Sequence, residues 1–162
     1  MIRPAQLRDR VIVPVLSLLD STMVPPPGSQ GAAVELLLGT AMQESHCGDY
    51  IAQTHGPARG VWQMEPATEG DIWTNFLAFK PHLADAINSL LAPGIPRTDQ
   101  LAGNLYYACA MARMQFLRSR DPMPAEGDIQ GQSAFYVKVY NAGGKATEAE
   151  YMANWRQLQA AM

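Results

Sequence analysis

The chain has 162 residues, 48% of them hydrophobic and 17% charged, and a formal net charge of −3. This length suits a single domain, 1–162, with a core of ordinary size. The charge excludes a global basic field for nucleic acid or another anionic polymer. Two cysteines, Cys47 and Cys109, are too few for a disulfide framework or a thiolate zinc site, and both read as reduced, partly buried thiols.

In chain order, residues 4–21 read as an accessory N-terminal helix, kinked at Pro14. The apolar run from Val11 to Leu16 is too short to span a bilayer, and no small-residue cleavage site follows it. The expectation is a soluble chain with no signal peptide and no integral membrane segment. Pro25 to Gly28 stops regular structure. Ser29 then reads as the N-cap of a helix running to about Cys47, with Val34, Leu37, Leu38 and Ala41 at helical spacing and Gly48 as terminator.

From 49 to 66 no period is sustained, which indicates a loop or a short β-like excursion. Thr68 is expected to start a helix helped by Asp71, with Ile72, Trp73, Phe76, Leu77 and Phe79 on its apolar face. Pro81 opens the next helix. Thr98 caps a long helix over about 99–118, whose broad apolar surface marks it as central. A helix over about 130–140, a turn at 141–145 and a Thr147–Glu150 capping box before a last helix complete the chain. The expected fold class is all-α, with several helices packed around one long central helix.

Three short segments carry candidate chemistry. Glu44 lies at the edge of an apolar helical stripe and in the last turn of its helix. Apolar surroundings and the exposed carbonyls there both disfavour a carboxylate, as a general acid working near neutral pH requires. Its bland alternative is a solvated Glu at a helix end. Ser45 either bonds back into the helix or faces a substrate. In the segment from Gly56 to Met64, glycines permit close backbone approach, and Gln63 offers a donor and an acceptor suited to sugar hydroxyls and acetamido groups. Trp62 is either a sugar-stacking platform or a core anchor. Tyr140-Asn141-Ala142-Gly143 is either an ordinary helix C-terminus or the wall of a cleft facing Glu44. His46, His55 and His82 show no metal-ligand spacing.

In this order the segments resemble the lytic transglycosylase and goose-type lysozyme group of the lysozyme superfamily. Glu44-Ser45-His46-Cys47-Gly48 is similar to the goose-type Glu-Ser-His-Ala-Gly, and Gly60-Val61-Trp62-Gln63 to Gly-Leu-Met-Gln. Gln63 to Thr68 is similar to the transglycosylase Gln-Ile-Met-Pro-Gly-Thr, and Tyr140 to Gly143 repeats Tyr-Asn-Ala-Gly. Asn104 resembles the Asn opening the remaining motif, with Ala108 where a Gly is usual. Pro57 stands for another usual Gly, and Trp62 for the usual Met. The resemblance covers residues 36–144.

The resemblance implies a lysozyme-like domain that cleaves the β-1,4 bond between N-acetylmuramic acid and N-acetylglucosamine in peptidoglycan, with no metal or other cofactor. Glu44 is then the single acid/base, giving a 1,6-anhydro product. Ser45, Trp62, Gln63, Met64, Tyr140 and Asn141 would contact the glycan strand or orient Glu44. The near alternative is a muramidase in which a second carboxylate activates water: Glu65, where goose-type lysozymes carry an Asp, or else Asp49 or Asp71. A non-catalytic wall-binding or structural module is the alternative of another class. Purely coincidental motifs would predict no cleft, with Glu44 and Tyr140 far apart. Action on a cell wall without an encoded export signal would imply delivery by phage lysis or with a virion.

Overall fold

Prolines and caps set most of the element boundaries. The structure is a computed structural model that describes residues 1–23, 25 and 28–162. The stop expected at Pro25 to Gly28 falls partly outside the described residues, at Pro26 and Pro27.

The first helix begins as α1 (Pro4–Leu7), widens into a π-turn at Arg8–Ile12 and continues as α2 (Val13–Asp20). The expected kink at Pro14 takes this form. Pro14 cannot donate to the helix, and its ring crowds the carbonyl one turn back. The Val13 amide reaches instead to the Arg8 carbonyl, and the wider turn makes room. α3 (Ser29–Ser45) starts one residue earlier than expected. Its N-cap is Gly28, at φ 77°, and Ser29 is already helical. It also ends earlier, at Ser45, because His46 and Cys47 take the left-handed region at φ 48° and 55° ahead of Gly48. The Cys47 amide closes the end by bonding the Ala41 carbonyl at 2.9 Å.

Residues 49–65 are irregular, and among the described residues the β structure is confined to two antiparallel bridges, Ala52 with Arg59 and Arg59 with Met64. α4 (Pro66–Asn75) begins at Pro66 rather than Thr68, because proline is favoured at the first helical position and holds Glu65 extended as N-cap. A short 3₁₀ turn, Leu77–Phe79, precedes α5 (Pro81–Asn88). Ile72 and Leu77 are buried as expected, whereas Phe79 is 78% exposed.

The long central helix is broken. A 3₁₀ turn at Arg97–Asp99 leads into α6 (Gln100–Gly103), and α7 (Leu105–Leu117) starts afresh. Asn104 interrupts it at φ −110°, ψ 95°, and its side chain caps α7 by accepting from the Tyr107 amide. It also donates to the Leu90 carbonyl at 2.8 Å, which ties the break to the end of α5. From Tyr107 to Met114 every residue of α7 is buried. Alanines at 108, 110 and 112 keep that stretch narrow, so neighbours pack against it on all sides.

α8 (Ile129–Phe135) passes into a second π-turn, Tyr136–Tyr140, and α9 (Glu148–Ala161) closes the chain with the expected Thr147–Glu150 capping box. α9 crosses α3 at Gly39, where a Cβ would lie 2.0 Å from the Tyr151 hydroxyl oxygen. No described helix is long and apolar enough to cross a membrane. One apolar core joins the N-terminal helices, α3, α7 and α9.

Candidate active site

A cleft of about 640 Å³ opens between the end of α3, the 50–68 segment and the 136–146 segment. Glu44, Gln63, Met64, Glu65, Tyr140 and Asn141 all line it. Glu44 and Tyr140 therefore share one surface.

Glu44 is half-buried in the last turn of α3. Burial in this wall pushes its carboxyl up to about 7, against a partly opposing hydrogen bond from Tyr136. That bond is short: the Tyr136 hydroxyl donates to Glu44 Oε1 at 2.5 Å. Among the described residues no Lys, Arg or His lines the cleft, so no cation there favours the ionised form.

Tyr136 is the site residue that sequence reasoning missed. It is 1% exposed; its ring stacks on Tyr140, with centroids 6.0 Å apart, and meets Tyr151 at a tilt, at 5.0 Å. Burial raises its phenol well above the ordinary range, and the adjacent carboxyl raises it further, so it stays a donor. The available signal was its four-residue spacing from Tyr140, which reads equally well as core packing.

The remaining motif residues divide into those that face the cleft and those that build it. Ser45 is fully buried; its hydroxyl donates to the Val61 carbonyl at 2.6 Å and accepts from the Gly48 amide at 2.9 Å. It does not line the cleft, so the expected substrate contact gives way to a tie between the end of α3 and the 60–64 loop. Trp62 is 1% exposed, and its indole donates to the Leu37 carbonyl at 2.9 Å. It is a core anchor and not a stacking platform, because its ring is buried and its one N–H is taken by the α3 backbone. Tyr140 donates to the Trp62 carbonyl at 2.8 Å, pinning the same loop from the opposite wall. Asn141 lines the cleft while its amide reaches the Ala146 carbonyl at 3.4 Å.

The loop so fixed is tight. Gly60, at φ 80°, lies against α6: a Cβ there would meet the Leu101 carbonyl oxygen at 2.0 Å. Gln63 carries φ 45°, a costly value for a side-chain-bearing residue, and its amide donates to the Gly60 carbonyl at 2.7 Å. Met64 is buried at the cleft floor and exchanges both backbone hydrogen bonds with Arg59, each 3.0 Å.

Searches against protein-family models, curated proteins and solved structures return no significant match.

The three candidates for a second carboxylate separate clearly. Glu65 is exposed and lines the cleft. Asp49 pairs with the Met1 amine at 2.6 Å, and Asp71 accepts from Asn75 and Arg118. Both are held low by these partners, and neither lines the cleft. Cys47 and Cys109 are buried free thiols, pushed up by desolvation and so poor nucleophiles. Among the described residues, His, Cys, Asp and Glu side chains nowhere gather in threes. The arrangement can do one thing well: hold a neutral carboxylic acid at the wall of an open, polar-lined groove.

Proposed function

We propose that this protein cleaves peptidoglycan glycan strands as a lytic transglycosylase, with Glu44 as its single acid/base. The observation that carries the reading is the half-buried Glu44 carboxyl, protonated up to about pH 7 and held by Tyr136 in a cleft of saccharide size. The motif resemblance supplies the substrate.

In this reading Glu44 gives its proton to the glycosidic oxygen between N-acetylmuramic acid and N-acetylglucosamine as the C1–O bond breaks. The resulting carboxylate then takes the proton of the muramic acid 6-hydroxyl while O6 bonds to C1. This closes the 1,6-anhydro ring and restores the acid. Gln63 and Asn141 present amides at the cleft surface to sugar hydroxyls and acetamido groups. Ser45, Trp62 and Tyr140 act at one remove, by holding the 60–64 loop in place.

Glu65 favours a second reading, an inverting muramidase, because it is the one candidate partner carboxylate that shares the cleft. Such an enzyme uses that group as a base for water on the opposite face of the sugar. Digestion of purified peptidoglycan separates the two, since an anhydro end is one water lighter than a reducing end by mass spectrometry. Loss of turbidity by the wild type and none by Glu44→Gln supports catalysis. Equal behaviour of the two would leave a wall-binding or structural module. Delivery to the wall by phage lysis or with a virion belongs to the same proposal.

A further inference from the structure

We infer that Tyr136 is a positioning residue that fixes the transferable proton of Glu44 on Oε2, the carboxyl oxygen that the phenol does not bond. Its catalytic consequence rests on the function proposed above, whereas the proton's location does not.

A neutral carboxylic acid has one proton and two oxygens, and nothing in the isolated group prefers either. Here the oxygens differ, because the Tyr136 hydroxyl lies 2.5 Å from Oε1. Two arrangements satisfy that distance. In one, Tyr136 donates to Oε1 and the acid proton sits on Oε2. In the other, Oε1 carries the proton and donates to the phenol oxygen, and the phenol proton must find another acceptor. Tyr136 is 1% exposed, and its hydroxyl makes no other hydrogen bond among the described residues. The second arrangement strands a buried donor, which disfavours it roughly tenfold or more. The first strands no donor, since the acid proton on Oε2 belongs to a residue that lines the open cleft.

The same hydroxyl orientation serves the state after proton transfer. Oε1 then belongs to a carboxylate, and the bond from Tyr136 becomes charge-assisted and stronger. No donor has to turn between the acid and base stages, which is the economy of a preorganised site. The ring cannot easily swing away. It is stacked on Tyr140 and packed at a tilt against Tyr151, and its backbone carbonyl accepts from the Asn141 amide at 3.0 Å across the π-turn.

The other titratable groups near Glu44 do not compete for this role. Tyr140 gives its proton to the Trp62 carbonyl, and the Tyr50 hydroxyl goes to the Glu44 backbone carbonyl at 2.7 Å. Tyr151 packs behind Tyr136, and Glu65 lines the cleft as an exposed carboxylate. From α7 the cleft receives Gln115, which is neutral and donates to the Val139 carbonyl.

The test is isotope-edited infrared spectroscopy of the neutral Glu44 carboxyl in the full chain at about pH 5, wild type against Tyr136→Phe, with Glu44→Gln identifying the band. In both arrangements the ionised carboxylate accepts from Tyr136, so only the neutral acid distinguishes them. If Tyr136 donates to Oε1, that oxygen is the carbonyl of the acid, and loss of the phenol moves its C=O stretch to higher frequency. If Oε1 carries the proton, the carbonyl is Oε2, and the stretch does not rise. A fall or no change overturns the inference.

Where Tyr136→Phe does not fold, 3-fluorotyrosine placed at position 136 gives the converse test. A stronger donor moves the C=O stretch to lower frequency, and an unchanged or raised frequency overturns the inference. On peptidoglycan, Tyr136→Phe is expected to lower the turnover rate about 10- to 100-fold with KM within about threefold. The alkaline limb of its rate profile moves to higher pH, because the carboxylate loses a donor; a merely structural role would lower thermal stability and leave that limb in place. A raised C=O frequency in a protein whose wild type leaves peptidoglycan intact upholds the proton placement and overturns the proposed function.

Discussion

Replacing Glu44 by Gln should stabilise the fold, and only above the pH at which an ordinary Glu ionises. The carboxyl is displaced from 4.5 to about 7 by burial. At 1.36 kcal/mol per unit, that displacement corresponds to about 3 kcal/mol. Below pH 4.5 the acid is neutral in the folded and unfolded chains alike and contributes nothing to the pH dependence. Between pH 4.5 and about 7 the unfolded chain releases the proton while the folded chain keeps it, so stability falls as pH rises. Above about 7 both forms are charged and the loss levels off. Gln has no such titration, and its side-chain oxygen still accepts from Tyr136.

The difference between Glu44→Gln and wild type should therefore be small at pH 4.5 and approach about 3 kcal/mol at pH 8.5. Urea denaturation at several pH values measures it. With a slope of about 2 kcal/mol per molar, the midpoints should separate by about 1.5 M at the alkaline end. Other ionisable groups titrate equally in both proteins and cancel. A difference that stays flat from pH 4.5 to 8.5 would refute the claim that this carboxyl is held neutral by its surroundings.

Substitutions at three further positions probe the frame around that group. Glu65→Gln should leave 1,6-anhydro products at close to wild-type rate, as mass spectrometry of digests will report; loss of all cleavage would point to the hydrolytic reading. Gly60→Ala meets both a positive φ and the Leu101 carbonyl oxygen, and is expected to cost more than about 2 kcal/mol in urea denaturation. Asn104→Ala removes the α7 cap and the tie to Leu90 and should cost about 1–2 kcal/mol by the same measurement, whereas Asn104→Asp should keep the cap and lose the amide's bonds to the Leu90 carbonyl and to Gln100.

The sequence carried the helical class and most of the boundaries, because proline, glycine and capping residues act locally. Thr147 with Glu150 and Pro81 at the start of α5 were readable for that reason. Asn104 was misjudged because apolar spacing runs across it, while the break depends on the Leu90 carbonyl, a partner fourteen residues away. Glu44 was identifiable from its place at the margin of an apolar stripe. The roles of Ser45 and Trp62 were not, since each is decided by a backbone carbonyl brought close only by the fold: Val61 for one and Leu37 for the other. Tyr136 was hidden more deeply. A buried aromatic on a helix looks the same in sequence whether its hydroxyl meets a carboxyl or not.

The π-turn from Tyr136 to Tyr140 sets the phase between the helix before it and the chain after it. Such a turn holds one residue more than the α-helix it replaces. Closing these residues into a regular α-helix at constant length would rotate everything downstream by about 100°. The Tyr140 hydroxyl would then leave the Trp62 carbonyl, and Asn141 would leave the cleft. Diversity in this stretch should accordingly be sought in side chains that keep the wide turn, and variants that regularise it should yield folded proteins with an empty wall opposite Glu44.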